Sequence, residues 1–327
     1  MNMQRIRNSI IAGAMLAVLS ALPAAHAQAP WPDKPVTMIV PWAPGGSTDI
    51  LARTMSEHLA KSFGQPFLVE NRPGASGNIG SNVVAKAKPD GYTLLVGSMS
   101  THAMNGALYT SMPFKPVDDF TPIALVAYVT NTMVINAAVP VNTVPEFIAY
   151  AKAHPGKLAY ASAGPGSTNH LSAALFEKAA GIEMLHVPYK GGAPAVLDTV
   201  AGQTQVFFSA GTQTLPHVKS GKLKLLAVTE KERSSLLAST PTVAETLPGY
   251  ELAVWYGMFG PAGLPRELTA RINAEVNRIM QLPEVKEKMA SIGVEVARLS
   301  PAQFQEILVR DTAKYTKLIA DLGIKPE

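Results

Sequence analysis

Two turns, one in each half of the chain, carry residue types suited to holding an anion. The first lies in VTMIVPWAPGGSTDI, Val36 to Ile50, and the second in LAYASAGPGSTNHL, Leu158 to Leu171. Each reads as a short β-branched strand, a Gly/Pro break, then Ser-Thr and the start of an amphipathic helix. The first N–H groups of a helix have no intrahelical acceptor, and the helix dipole adds partial positive charge there, so such a turn favours an anion. In the first turn Pro44, Gly45 and Gly46 let the backbone come close to a ligand, and Ser47 or Thr48 can cap the helix. Asp49 falls in the first helical turn, where an acid can accept from loop N–H groups, and its expected role is to organise the loop. Trp42 either covers a ligand's carbon chain or closes the end of the sheet. In the second turn His170 either contacts a ligand or packs on a neighbouring loop. A third Gly-rich stretch, Asn71 to Gly80, could line the same edge; Arg72 there is either a carboxylate partner or, beside Pro73, equally a surface cap, and it is not counted among the ligand contacts.

A search for catalytic or metal-binding constellations is negative. There is no G-x-S-x-G elbow, no G-x-x-x-x-G-K-[ST] loop, no H-E-x-x-H and no cysteine, and none of the seven histidines forms an i, i+4 pair. No catalytic residue, cofactor or metal site is expected, and the chain is read as a non-enzyme. The rival enzymatic reading is a secreted hydrolase using Ser167 with His170 or His102, which lacks a third orienting group.

The elements that position these turns alternate. Strands are expected at Val36–Val40, Phe67–Asn71, Tyr92–Gly97, Thr132–Asn136, Leu158–Ser162, Met184–Tyr189, Val206–Ala210 and Lys224–Thr229. Helices are expected at 48–63, 79–87, 144–154, 168–180 and 193–201. This pattern argues for an α/β fold with largely parallel sheets covered on both faces, whose ligands sit at the carboxyl ends of the strands. A further strand over 252–260 then leads into three helices beginning at Arg266, Pro283 and Pro301. Ser300 is placed to cap the last of them, with Pro301 at its first position.

The N-terminus reads as a secretory signal peptide: Arg5 and Arg7, an apolar run from Ile10 to Leu22, then Ala25-His26-Ala27 with cleavage after Ala27. That run is short of the roughly 20 residues needed to span a bilayer. Loss of residues 1–27 removes two arginines and no acids, lowering the formal charge from +4 to +2. The mature protein is nearly neutral, which excludes nucleic acid as an expected partner. Absence of cysteine excludes disulfides and thiolate chemistry in a protein read as periplasmic.

Several stretches together resemble the Bug family, the TctC-like extracytoplasmic solute-binding proteins of tripartite tricarboxylate transporters. They are WPDKPVTMIVPWAPGGSTDILAR, VENRPGASGNIG, DGYTLLVGS, PGKLAYASAGPGSTNHLSAALF, VPYKGGAPAV, SGKLKLLAVTEKERS, TPTVAE and FGPAGLP. The resemblance covers nearly the whole mature chain and implies a two-domain type II periplasmic binding protein with mixed, mostly parallel sheets. It implies domains at 28–127 plus 230–327 and at 128–229, with crossings near Leu125–Asn131 and Val228–Lys231. It further implies that a monomer closes on a small carboxylate and delivers it to a membrane permease, with a sensor role in signalling as the alternative. Carried onto these residues, one wall of the site is Trp42, Ala43, Pro44, Gly45, Gly46 and Ser47, with Ser98 and Thr101. The other is Gly164, Gly166, Ser167, Thr168 and His170, with Ser209 and Gly211, and Asn131 lies near the crossing. Tyr189 and Lys190 match a family signature, read here mainly as a strand-to-helix junction.

Overall fold

The computed structural model describes residues 31–324, so the expected leader and its cleavage point lie outside the described residues. Contacts divide the chain after Asp33, and from Lys34 onward it is one compact unit. That unit is built on two sheets. The strands are β1 (Val36–Val40), β2 (Phe67–Asn71), β3 (Thr93–Ser98), β4 (Phe120–Val129), β5 (Asn131–Asn136) and β6 (Ala159–Ser162). They continue as β7 (Leu185–Pro188), β8 (Val206–Ala210), β9 (Leu223–Val228), β10 (Val254–Pro261) and β11 (Val294–Val296). The larger sheet has the order β11-β4-β10-β3-β1-β2 and the smaller β7-β6-β8-β5-β9.

Both sheets are mixed. β1 pairs in parallel with β2 and β3, as β6 does with β7 and β8. The antiparallel members include the strands that enter from the other sheet, β5 against β8 and β9 and β10 against β3 and β4, together with the short edge strand β11 against β4. A strand arriving directly from a neighbouring sheet has no crossover helix to reverse its direction, whereas parallel neighbours need one. The chain leaves the larger sheet at Thr130, between β4 and β5, and returns between Val228 and Val254. The boundary expected after residue 127 thus falls inside β4.

Ten α-helices flank the sheets among the described residues: α1 (Ser47–Phe63), α2 (Asn78–Ala85), α3 (Asn105–Leu108), α4 (Val144–Ala153) and α5 (Thr168–Ala180). The rest are α6 (Gly192–Val200), α7 (Gly211–Lys219), α8 (Arg266–Met280), α9 (Pro283–Ala290) and α10 (Pro301–Leu322). α1 shows why they form: Leu51, Met55 and Leu59, four apart and fully buried, make one stripe against the sheet. Gly64, at φ 72°, ends it by returning its N–H to the Ala60 carbonyl. α10 begins with a capping box, Ser300 Oγ accepting from the Gln303 N–H and Gln303 Oε1 from the Ser300 N–H. It buries Phe304, Leu308, Tyr315 and Ile319; Phe304 packs on Trp255 and Phe259 of the larger sheet, and Asp311 accepts from Trp255 Nε1 at 2.8 Å. Truncating Leu308 to Ala would cost about 2–5 kcal/mol through the lost burial and the cavity left.

The smaller sheet has its own core, in which Phe147, Phe176 and Phe208 pack around Met133, Tyr160 and Val206. With helices on both faces, the carboxyl ends of β1, β3, β6, β7 and β8 lead directly into helices, and those ends carry the site. Among the described residues no helix is long and apolar enough to cross a membrane.

Candidate functional site

The first turn is held from below by Asp49. Its carboxylate accepts from the Gly45 N–H at 2.9 Å, Arg53 Nε at 2.9 Å and Asn71 Nδ2 at 3.0 Å. Burial alone would raise this carboxyl's pKa, but the hydrogen bonds from Arg53, Gly45 and Asn71 outweigh it and bring it below the ordinary value. Asn71 also donates to the Trp42 carbonyl, so the loop is pinned on both flanks. Gly45 has φ 81°, a conformation costly for any residue with a Cβ. Gly46 is the N-cap of α1 at φ −77°, and no side chain caps the helix. The first-turn N–H groups of Ser47 and Thr48 therefore have no intrahelical acceptor, and both residues line the space between the sheets.

β3 ends in a π turn over Ser100–Met104. Thr101 closes it, its hydroxyl donating to the Ser98 carbonyl at 2.8 Å while receiving the Ser98 N–H at 3.0 Å. The hydroxyl of Ser98 is buried without a protein partner. Ser100 reaches across instead and accepts the Thr168 N–H at 2.9 Å.

The second turn is organised differently. Ser167 caps α5, accepting from the His170 N–H at 3.3 Å and donating to the Gly164 carbonyl at 2.7 Å. Asn169 donates to the Phe208 carbonyl at 2.7 Å and accepts from the Ala163 N–H at 3.3 Å. His170 Nδ1 accepts from the Gly166 N–H at 3.1 Å, and its ring stacks on His186 at 4.3 Å. Burial lowers the pKa of both imidazoles, that of His186 to about 4 with help from His170 beside it.

Between the two turns lies a cavity enclosing about 380 Å³ of atom-free space, part of it open to solvent. From the larger sheet and its helices it is lined by Trp42, Gly46, Ser47, Thr48, Ser98, Ser100 and Tyr256. The smaller sheet's side contributes Ala163, Ser167, Thr168, Asn169, Gly192 and Gln213. Every lining residue is neutral, and most carry a hydrogen-bond donor. Burial raises the pKa of the Tyr256 phenol, moderated by a hydrogen bond with Ser47, so it stays protonated at neutral pH. Ser209 donates to Gln213 Oε1 at 2.7 Å and so orients its amide. A Cβ on Gly192 would lie 2.3 Å from that oxygen, so the glycine makes room for Gln213. Protein groups also join the two sides directly: Ser47 Oγ meets Thr212 Oγ1 at 2.6 Å, and Ser76 Oγ donates to the Pro165 carbonyl.

Of the residues expected at the site, Trp42, Gly46, Ser47, Ser98, Ser167 and Thr168 line this cavity. Ala43, Pro44 and Gly45 form the loop behind it, and Thr101 shapes the β3 turn. Gly164 and Gly166 adopt φ 124° and 76° in the second turn, and His170 stacks away from the cavity. Ser209 supports Gln213, while Gly211 donates its N–H to the Thr130 carbonyl at the crossing. Asn131 is also at the crossing: its amide donates to Ser172 and Thr229 and its N–H to Glu230. Thr48, Ser100, Ala163, Asn169, Gly192, Gln213 and Tyr256 were not anticipated. For Gly192 a signal was available, the Gly-Gly that follows β7 as another Gly-Gly follows β1. A hydrolase constellation does not form: Ser167 donates to a carbonyl, and His102 Nδ1 is bonded to Thr101 with its ring stacked on Phe259. Among the described residues no group of acids and histidines is placed to hold a metal.

Two α/β lobes joined by short crossings, with helix N-termini converging on a neutral, donor-rich cavity, define a two-lobed binding protein. Residues 51–324 match the tripartite tricarboxylate transporter family receptor, TctC, and the chain belongs to that family, which is one of solute-binding receptors and not of enzymes. It is 35% identical over 317 residues to the UPF0065 protein in the tcbD-tcbE intergenic region of Pseudomonas sp. (strain P51), covering 96% of this chain and 94% of that protein. Among solved structures, R. palustris Rpa4515 with adipate aligns with a TM-score of 0.88 and 36% identity, over 91% of this chain and 100% of the other. The periplasmic binding protein BugD aligns with a TM-score of 0.87 and 32% identity, over 91% and 100%.

Proposed function

We propose that this protein is an extracytoplasmic receptor that captures a small carboxylate between its lobes and delivers it to a membrane permease of the tripartite tricarboxylate type. The observation that carries this reading is the cavity between the two turns, lined by Ser47 and Thr48 at the start of α1 and by Ser98 and Tyr256, with no charged side chain in its lining. Neutral donors in a desolvated site can hold a carboxylate without a buried arginine, whose own desolvation would be costly, and they allow release. Adipate in a similar protein is consistent with this chemistry.

The domains, on this reading, are the expected 28–127 plus 230–327 and 128–229 with the first boundary moved to Thr130, beyond the end of β4, and the motion is a hinge closure about the crossings at Thr130 and Thr229. Donors from both lobes stabilise the closed form relative to the open one. The mature chain begins after Ala27, works in the periplasm and is monomeric. Titration calorimetry with adipate and other carboxylates, paired with small-angle scattering, tests the proposal. Binding accompanied by compaction is expected; no binding by any carboxylate, or binding without compaction, would overturn it.

A further inference from the structure

Three rings are stacked against the second turn: Tyr160 on β6, His186 on β7 and His170 on α5. The centroids of Tyr160 and His186 are 4.8 Å apart, and those of His186 and His170 4.3 Å apart with their planes at 4°. The polar edges of the two imidazoles hold the turn itself. His170 Nδ1 accepts the Gly166 N–H at 3.1 Å. His186 Nε2 lies 2.6 Å from Ser162 Oγ, which in turn accepts the Gly164 N–H at 3.1 Å. Both glycines have positive φ, a freedom of backbone that such bonds must restrict if the turn is to keep one shape. Pro165, between them, carries the carbonyl that accepts from Ser76 of the other lobe, and the cavity residues Ser167 and Thr168 follow directly.

We propose that His170 and His186 are positioning residues that make the second wall sensitive to protons: neutral, they hold Gly164-Pro165-Gly166 in its binding shape, and a proton taken up by the pair loosens the turn and releases the ligand. The inference rests on the carboxylate-receptor reading above and adds the regulation of the same site. A neutral imidazole accepts at one nitrogen, whereas an imidazolium only donates. A proton on His170 Nδ1 therefore sets a new N–H against that of Gly166. A proton on His186 leaves Nε2 able only to donate to Ser162, and a charge on either ring disfavours one on its neighbour. Loosening the turn also frees the Pro165 carbonyl from Ser76, so the lobes lose one of the bonds between them.

The groups around the pair do not offset this. Burial is the main cause of the lowered pKa of both rings, and the neighbouring His170 adds to the effect on His186. The Tyr160 phenol is kept protonated by burial and by the charge of Glu177 on α5, a carboxylate that itself accepts the Met184 N–H. Both imidazoles are only part-buried, so solvent protons reach them. The held turn keeps these pKa values low, and the loosened, ligand-free turn binds protons better. Affinity should therefore be full above the ordinary 6.5 and fall as pH drops towards the value of about 4 at His186.

The test pairs NMR with calorimetry. In the ligand-free protein, the ring protons of His170 and His186 are followed together with the Gly164 and Gly166 amides from about pH 7.5 to about pH 4.5. The glycine amides are expected to move with the imidazoles. Calorimetry with adipate over the same range compares wild type with a His170→Asn, His186→Gln double variant, whose side-chain amides offer polar atoms near the Nδ1 and Nε2 positions and do not titrate. Adipate itself gains protons in acid, equally for both proteins, so the difference between the two profiles is the readout. Wild type should lose about tenfold more affinity than the double variant across the range. His170→Phe, which keeps a ring and removes the acceptor, should weaken adipate about fivefold at neutral pH. Glycine amides that stay still while the imidazoles titrate, parallel affinity profiles, or undiminished binding by His170→Phe would overturn the inference and leave the receptor reading standing. Failure of wild type to bind adipate or any other carboxylate at neutral pH would instead remove the receptor reading, with the glycine amides still deciding whether the pair holds the turn.

Discussion

The two glycine turns share the letters Gly-Ser-Thr, yet they are built one residue out of step. In the first, Gly46 is the N-cap and the helix starts at Ser47, so the Ser47 hydroxyl is free to cross to Thr212. In the second, Ser167 is itself the N-cap and the helix starts at Thr168, so the Ser167 hydroxyl is occupied by its own turn. The fourth position differs in the same sense: Asp49 carries a charge that organises the loop, whereas Asn169 does similar work with a neutral amide. One turn therefore offers open donors on a rigid base, and the other is largely self-satisfied and presents its outer surface. Equivalent motifs make unequal walls when the cap moves by one residue.

The largest effect should come from the bases of the two turns. Asp49→Ala strands the Gly45 N–H and Asn71 amide and is expected to cost on the order of 3 kcal/mol in urea unfolding, with loss of ligand binding. Asn169→Ala removes two neutral hydrogen bonds and should cost about 2 kcal/mol. A loss from Asn169→Ala equal to or larger than that from Asp49→Ala would erase the asymmetry.

Next come the serines. Ser167→Ala should cost about 1 kcal/mol as a lost cap and speed amide exchange at His170. Ser47→Ala should leave exchange at the start of α1 unchanged and weaken ligand about fivefold, through the lost contact with Thr212 and Tyr256. If α1 frays in Ser47→Ala, the off-step capping is refuted.

Acid should separate the turns as well, more gently because the imidazoles are partly solvated. The folded-state pKa of His186, about 4, lies below its ordinary 6.5, so between these values the unfolded chain binds more protons. Stability from the His170–His186 stack is therefore present above pH 6.5 and lost as pH falls towards 4. The Asp49 pKa is also depressed, from 3.8, so its contribution is present above that pH and is lost only below it. Imidazole NMR titration alongside pH-dependent unfolding checks the order; loosening of the first turn before the second would contradict it.

Much of the fold was legible because its signals are local. β1 is a β-branched run between Pro35 and Pro41 and β2 a short apolar run between Pro66 and Asn71, and their limits in the structure are those expected from the sequence. β4 escaped because FTPIALVAYV is interrupted by Pro122 and, buried on both faces, has no alternation to read. α7 escaped because Pro216 sits inside it, and Gln213 went with it. The β3 turn pointed to Thr101, but a π turn changes which side chain faces outward and puts Ser100 at the cavity. Tyr256 lies in an expected strand, yet nothing local marks the face of β10 that meets the other lobe. Side chains supplied by register and by distant strands were the ones that sequence left hidden.

Among the hydrogen bonds that join the lobes, three involve the two glycine turns and their neighbours: Ser47 with Thr212, Ser76 with Pro165, and Thr168 with Ser100. On the proposed closure they act as a set-point for the receptor. A ligand that needs the closed form sees its intrinsic affinity divided by the scarcity of that form, so the strength of these bonds scales every ligand's apparent affinity by one common factor. On the proposed closure, two adjustments are separate: substitutions at Ser76 or Thr212 retune sensitivity to ligand concentration while leaving the ranking of ligands untouched.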